Sequence, residues 1–314
     1  MNKVKVGFLV SYDYEYLKTA LPFIYQKADS VVLAYDSGFK TWNGNSFVIT
    51  DDFFEWINMF DTHNKIVFYK DNFCMPDFTP MECETRERKM LATFMGEGGW
   101  HIQLDSDEYF IDFDRFIEIL RTFEHSKPDS SLDFFADWIT LFKYDLNGYY
   151  IINSLEQFPV ATNNPSYKVA RCCHNENIIK THCRVIHQSW ARTPREIQNK
   201  ICNWGHLTDF DIDSFYKLWE FIDSFNFKYI KNFHPIYSGS WQELIYVKSN
   251  SINSLIIDLN TIFAHTPDGV SSGPEVSFAT IDEQSDKSNM ISFDFGLRDF
   301  IPPIVLKIKS FLYK

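Results

Sequence analysis

Apolar residues fall along this chain in two rhythms, and their alternation predicts a sheet covered by helices. Residues 3–11, KVKVGFLVS, form the aliphatic run of a strand buried on both faces. Leu17, Leu21, Ile24 and Tyr25 then recur at helical spacing between Tyr14 and Lys27. Ser30–Ala34 returns to strand and ends in Tyr35-Asp36-Ser37-Gly38; Phe39–Asn45 is polar and reads as loop. Thr50-Asp51-Asp52 caps a helix reaching Phe60, and Lys65–Tyr69 supplies a third strand. Thr79–Gly96 carries a helix that turns Met90, Leu91 and Phe94 to the core. Trp100, Ile102 and Leu104 then alternate along a fourth strand. A β-α-β-α-β-α-β order predicts an α/β fold with a mixed, mainly parallel sheet flanked by helices.

The second half is less regular. Asp133–Leu141 (DFFADWITL) and Tyr167–Arg171 read as strands. His187 closes a further strand, and Thr193, Pro194 and Glu196 mark the start of a helix as cap, first and third positions. Residues 211–263 are aromatic-rich and read as helical pieces: SFYKLWEFIDSF, WQELIYVK and SINSLIIDL. The chain thus divides into residues 1–112, residues 113–210 of the same domain, and a mostly helical extension, 211–314, with a polar loop near 266–289. Residues 300–314 carry Lys307, Lys309 and Lys314 and no acid, with Ile304, Ile308, Phe311 and Leu312 on one helical face. Such a segment either docks on its own domain or makes peripheral contact with an anionic membrane.

Composition narrows the classes. The 314 residues are 45% apolar and 18% aromatic, enough for a large packed core, and a net charge of −12 excludes a general nucleic-acid surface. No apolar run approaches a membrane span, and the N-terminal run is too short for a signal peptide, so a cytoplasmic protein is expected. Six cysteines fit that compartment as free thiols; the cluster Cys172, Cys173, His174, His182, Cys183 and His187 lacks the usual zinc spacing. Neither a Gly-x-Gly-x-x-Gly turn nor a phosphate-loop Gly-Lys-Ser/Thr is present, which argues against dinucleotide dehydrogenases and P-loop enzymes.

The candidate chemistry sits where the fourth strand ends, in Leu104-Asp105-Ser106-Asp107-Glu108-Tyr109-Phe110. Alternate residues of an extended segment point the same way, so Asp105 and Asp107 repel each other unless a cation lies near them. Mg²⁺ or Mn²⁺ suits such a pair and leaves positions for diphosphate oxygens; a solvated acidic turn is the plainer reading. Asp36 is placed either to accept hydrogen bonds from a ribose or to close an Asx-turn. Arg88 and Arg86 stand beside Glu82, Glu84 and Glu87, as a salt-bridged face or as a donor contact. In DFFADWITL, Asp137 is either a polar strand position facing water or a general base, with Trp138 beside it as a stacking surface for a sugar; Glu156 is the next candidate base.

Together the strand-helix-strand opening, Asp36, the Arg88 helix and Leu-Asp-Ser-Asp-Glu-Tyr-Phe resemble GT-A-fold (Rossmann-like) glycosyltransferases. The likeness is greatest to family-2-like bacterial enzymes of surface-polysaccharide synthesis with an "LDxDE" signature. It covers residues 3–205. The resemblance implies that Asp105 and Asp107 hold Mn²⁺ or Mg²⁺ against the diphosphate of a UDP- or GDP-linked sugar, with a glycan or lipid-linked acceptor. It further implies Ser11, Tyr12 and Asp36 at the nucleoside and Arg88 at the donor. His187 becomes the third metal ligand and Lys200 a diphosphate contact. The chain departs from the family in having Arg192-Thr193 for Lys-Ser, and in lacking a clearly placed Glu-Asp pair for the catalytic base. The rival readings are a sugar-phosphate nucleotidyltransferase, which would want a Gly-rich loop after the first strand, and a non-catalytic nucleotide- or carbohydrate-binding protein of the same fold.

Overall fold

The structure, a computed structural model, describes residues 2–126, 130–154, 156–203, 210–237, 239–265 and 275–278. Its frame is four parallel strands: β1 (Val4–Leu9), β2 (Ser30–Asp36), β3 (Ile66–Asp71) and β4 (Trp100–Asp105), in the spatial order β4-β1-β2-β3. Helices α1 (Leu17–Ile24), α2 (Asp51–Phe60) and α3 (Pro80–Met95) make the crossovers. Val4, Val6, Phe8, Leu33 and Leu104 are among the buried residues of the main core, as runs apolar on both faces require. The expected α/β class is what the chain adopts.

One close approach sets the depth of α3. A Cβ on Gly7 would lie 2.8 Å from Leu91 Cδ2 and 2.9 Å from Met95 Sδ, so only a glycine lets the helix settle this near β1. The helix starts with Pro80 behind a capping box, in which Thr79 and Glu82 exchange side-chain bonds to each other's backbone N–H.

Beyond β4 the sheet turns antiparallel. Strand β5 (Glu108–Phe110) follows a two-residue turn, and α4 (Phe113–Ser126) comes next. Strand β6 (Leu132–Asp145) is long and serves several partners: it runs antiparallel to β7 (Gly148–Asn153) and β8 (Gln157–Thr162) and parallel to β9 (Asn177–His187). Helices α5 (Pro194–Asn203) and α6 (Ile212–Phe221) follow. Strand β5 pairs antiparallel with β9, which sets Glu108 opposite His187.

Three expectations need correction. Tyr167–Arg171 is not a strand: Ala170 takes a left-handed φ of 45°, so this stretch folds back through a single bridge between Val169 and Cys172. WQELIYVK contains strand β10 (Glu243–Lys248), not helix, because it pairs along its whole length with β7 at the sheet's edge. SINSLIIDL does form helix, as α7 (Ile252–His265), while residues 275–278, within the expected polar loop, form strand β11 on β9. The segment 300–314 lies outside the described residues. Among the described residues, no helix is long and apolar enough to cross a membrane.

Candidate functional site

The site lies at the carboxyl end of β4, where open α/β sheets bind ligands. Ser106 ties the turn down by donating its hydroxyl to the carbonyl of Leu9 at the end of β1 (3.0 Å). Glu108 is fully buried and accepts the Asp105 N–H at 2.9 Å. The turn is therefore rigid, and its two aspartates meet different partners.

Asp105 lies between two arginines. Arg88 Nη2 donates to its Oδ1 at 2.9 Å and Arg171 Nη2 to its Oδ2 at 2.5 Å. Arg88 is fully buried on α3, and its Nε also donates to Glu84 at 2.9 Å. Arg171 Nη2 further donates to Glu108 Oε1 at 2.8 Å, and its guanidinium lies over the rings of Phe158 (5.1 Å) and Trp138 (5.8 Å). Burial pushes the Asp105 carboxyl up, but Arg171 and Arg88 outweigh it and bring it below its usual value. Burial prevails for Glu108, whose carboxyl is pushed up to about 7.

Asp107 faces Arg192, His187 and Lys200. Arg192 Nη2 donates to Asp107 Oδ2 at 2.5 Å and to Asp13 Oδ2 at 3.0 Å, joining the loop after β1 to the start of α5. The other oxygen of Asp107 has no hydrogen-bond partner among the described residues. His187 Nε2 stands 3.8 Å from Asp107 Oδ2, and burial lowers the imidazole to about 4, leaving it neutral and able to bind a cation. Burial opposes the Asp107 charge too, yet Arg192, His187 and Lys200 together hold this carboxyl well below the usual range. Lys200 is buried, with 8% of its surface exposed, and makes no hydrogen bond or ion pair among the described residues. Burial and Arg192 lower its ammonium. An ammonium with no partner among the described residues, close enough to Arg192 to feel its charge, can accept an anion.

The structure thus gathers Arg88, Asp105, Asp107, His187 and Lys200 at one strand end. Tyr12 is close enough to feel the charges of Asp13, Arg192, Asp107 and Asp105, and Ser11 precedes it at the exit of β1. Asp36 is employed otherwise. Its Oδ1 accepts the N–H groups of Gly38 (2.8 Å) and Lys40 (3.1 Å), and its Oδ2 those of Phe73 (2.8 Å) and Cys74 (3.0 Å). Four donors fill the carboxylate's capacity, so it acts as a loop staple. Asp137 is not brought to the site either. Gln157 donates to it at 2.6 Å and His182 approaches at 3.3 Å, while Trp138, on the alternate face of β6, packs on His187 at 5.0 Å and Phe158 at 4.4 Å. Trp138 also donates to Glu108 at 3.2 Å, so it walls the site and steadies the histidine. The Glu156 carboxylate is bound by the Trp241 indole N–H at 3.2 Å.

Sequence reasoning missed Arg171, Asp13 and the pairing role of Arg192. Arg192 carried a signal in its place five residues after His187; Arg171 carried none, because a loop delivers it.

Among the described residues no group of three or more His, Cys, Asp or Glu is arranged to hold a metal ion. Asp107 and His187 are the pair that would hold a divalent cation with the help of ligand oxygens: the imidazole lies 3.8 Å from the Asp107 oxygen that Arg192 binds, and the other oxygen has no hydrogen-bond partner among the described residues.

No family model matches the chain, and no curated protein matches it. Among solved structures it is similar to residues 1–349 of TarS from S. aureus, with 13% identity and a TM-score of 0.30 over 43% of this chain and 36% of that one. It is also similar to 4-diphosphocytidyl-2C-methyl-D-erythritol synthase, with 10% identity and a TM-score of 0.26 over 54% of this chain and 72% of that one. The likeness to TarS thus spans about a third of that chain. Scores of this size carry no argument about chemistry, which rests on the geometry of the β4 exit.

Proposed function

We propose that this chain is a glycosyltransferase that moves a sugar from a UDP- or GDP-linked donor to a glycan acceptor, with Mn²⁺ or Mg²⁺ as cofactor. One observation carries the reading: His187, the Arg192-paired carboxylate of Asp107 and the Lys200 ammonium, which has no partner among the described residues, converge at the end of β4. This set suits a diphosphate accompanied by a divalent cation. Asp107 and His187 would hold the cation, which when bound neutralises charge on a departing diphosphate. Lys200 binds the diphosphate oxygens from the α5 side, and Arg192, already seated on Asp13 and Asp107, adds its charge; because these charges are fixed before the reaction they stabilise the leaving group without reorganisation. Tyr12, at the exit of β1, lies toward the nucleoside. Trp138 and Phe158 exclude water from the histidine's flank.

Calorimetry against a panel of nucleotide sugars, with Mn²⁺ and with chelator, tests the proposal. Binding of a UDP- or GDP-sugar that strengthens with Mn²⁺ is expected, and Asp107→Asn should remove the Mn²⁺-dependent part, at least about a hundredfold in affinity. A parent protein indifferent to every donor would sink the reading.

A further inference from the structure

We infer that Arg171 is a positioning residue that keeps Asp105 out of the cation's coordination and sets the site's balance between metal and nucleotide. The inference rests on the glycosyltransferase reading above and deepens it. Both Asp105 oxygens are engaged by guanidinium groups, at 2.9 Å and 2.5 Å, whereas Arg192 engages only Asp107 Oδ2, which has His187 3.8 Å away, and Asp107 Oδ1 has no hydrogen-bond partner among the described residues. The two carboxylates therefore divide their labour: Asp107 faces the cation and Asp105 anchors arginines.

Arg171 is held for this task from three directions. Its Nη2 bridges Asp105 and Glu108, its plane rests on Phe158 and Trp138, and its loop is pinned where the Ala170 N–H donates to Thr85 Oγ1 of α3 at 2.8 Å. Trp138 packs against both Arg171 and His187, so the guanidinium and the imidazole share one wall. A fixed positive charge this near repels a divalent cation and attracts a diphosphate. Weak metal binding before the donor arrives, and joint binding with it, follow from that arrangement.

The test measures two affinities on the full chain: Mn²⁺ alone, by electron paramagnetic resonance of the free ion, and UDP or GDP in chelator, by calorimetry. Arg171→Gln frees one oxygen of Asp105, the other staying with Arg88, and removes a like charge, so Mn²⁺ alone should bind about tenfold tighter while the nucleotide binds about tenfold weaker. Arg171→Lys, which keeps the charge, should stay nearer the parent on both. Adding Asp105→Asn to Arg171→Gln should abolish the gain in Mn²⁺ affinity. A merely structural arginine would loosen both ligands together, and that result overturns the inference while leaving the glycosyltransferase reading standing. If the parent binds neither Mn²⁺ nor UDP nor GDP, both fall. Asp105→Asn in the parent gives an arm independent of whether the Arg171 variants fold. Its Mn²⁺ affinity should fall less than about tenfold, as for an outer partner, and a loss of a hundredfold or more would make Asp105 a ligand and overturn the inference.

Discussion

Two strands flanking β1 end in aspartates, and the two exits have opposite economies. At the β2 exit, Asp36 is saturated by four backbone N–H groups from its own turn and from the Phe73–Cys74 segment. At the β4 exit, Asp105 and Asp107 are met by side-chain cations, with an imidazole and an ammonium that has no partner among the described residues beside them. A carboxylate filled by backbone donors has nothing left for a ligand. One balanced by side-chain cations still has room for a ligand, as at Asp107, where one oxygen has no hydrogen-bond partner among the described residues. A strand-end aspartate thus becomes a site only when its neighbours leave capacity unspent.

The largest expected effect sharpens that contrast from the structural side. Asp36→Ala strands four N–H groups, two of them on a segment remote in sequence, and should lower unfolding free energy by about 4 kcal/mol or more in a urea titration. Nucleotide affinity per folded molecule should not change. A variant as stable as the parent would dissolve the distinction between the exits.

Next comes Glu87, buried on α3, whose carboxyl accepts the Trp42 indole N–H at 2.6 Å and is pushed up to about 8 mainly by burial. A native value above the unfolded value of 4.5 means the folded state holds an extra proton between these limits. Its contribution to stability is therefore full below the unfolded value and lost as pH rises through about 8. Glu87→Gln should stabilise the protein at pH 8 by roughly 2 kcal/mol and flatten the fall in stability across that window. Thermal melts of both proteins from pH 5 to 8 decide it, and parallel profiles would refute the assignment.

Lys200→Met follows. Removing an ammonium that has no partner among the described residues should leave stability unchanged or slightly higher, while affinity for UDP or GDP drops about tenfold. Unchanged nucleotide binding would deny the β4 exit its anion site. Smallest is Asp137→Asn, expected to alter turnover by no more than about twofold, since its carboxylate faces Gln157 and His182. A fall of a hundredfold would return it to the chemistry.

Most of the parallel core was legible because its signals are local. Runs such as KVKVGFLVS and the alternation of Trp100, Ile102 and Leu104 declare buried strands without reference to the rest of the chain. The α5 cap was legible for the same reason: Thr193 Oγ1 accepts the Glu196 N–H three residues on. What escaped depends on tertiary context. The partners that fill Asp36 Oδ2 lie 37 and 38 residues away. Tyr167–Arg171 looks strand-like until Ala170 reverses the backbone and sends Arg171 to Asp105. WQELIYVK has both rhythms in outline, and only the open edge of β7 decides for strand. At the site, the acidic turn showed itself in sequence, whereas the cations that give it meaning come from α3, a loop and the approach to α5.

Gly7 gives the charge network a mechanical dimension. Leu91, which packs where a Cβ would stand, is one helical turn from Arg88, and Glu84 lies one turn the other way. The same ridge of α3 that touches the glycine also carries the guanidinium to Asp105. The thickness of position 7 therefore acts as a shim under a lever. A single methyl there would press on the Leu91 and Met95 side chains, on the same ridge as the Arg88 that meets its carboxylate at 2.9 Å. The electrical tuning of the strand end is, at this point, a matter of clearance.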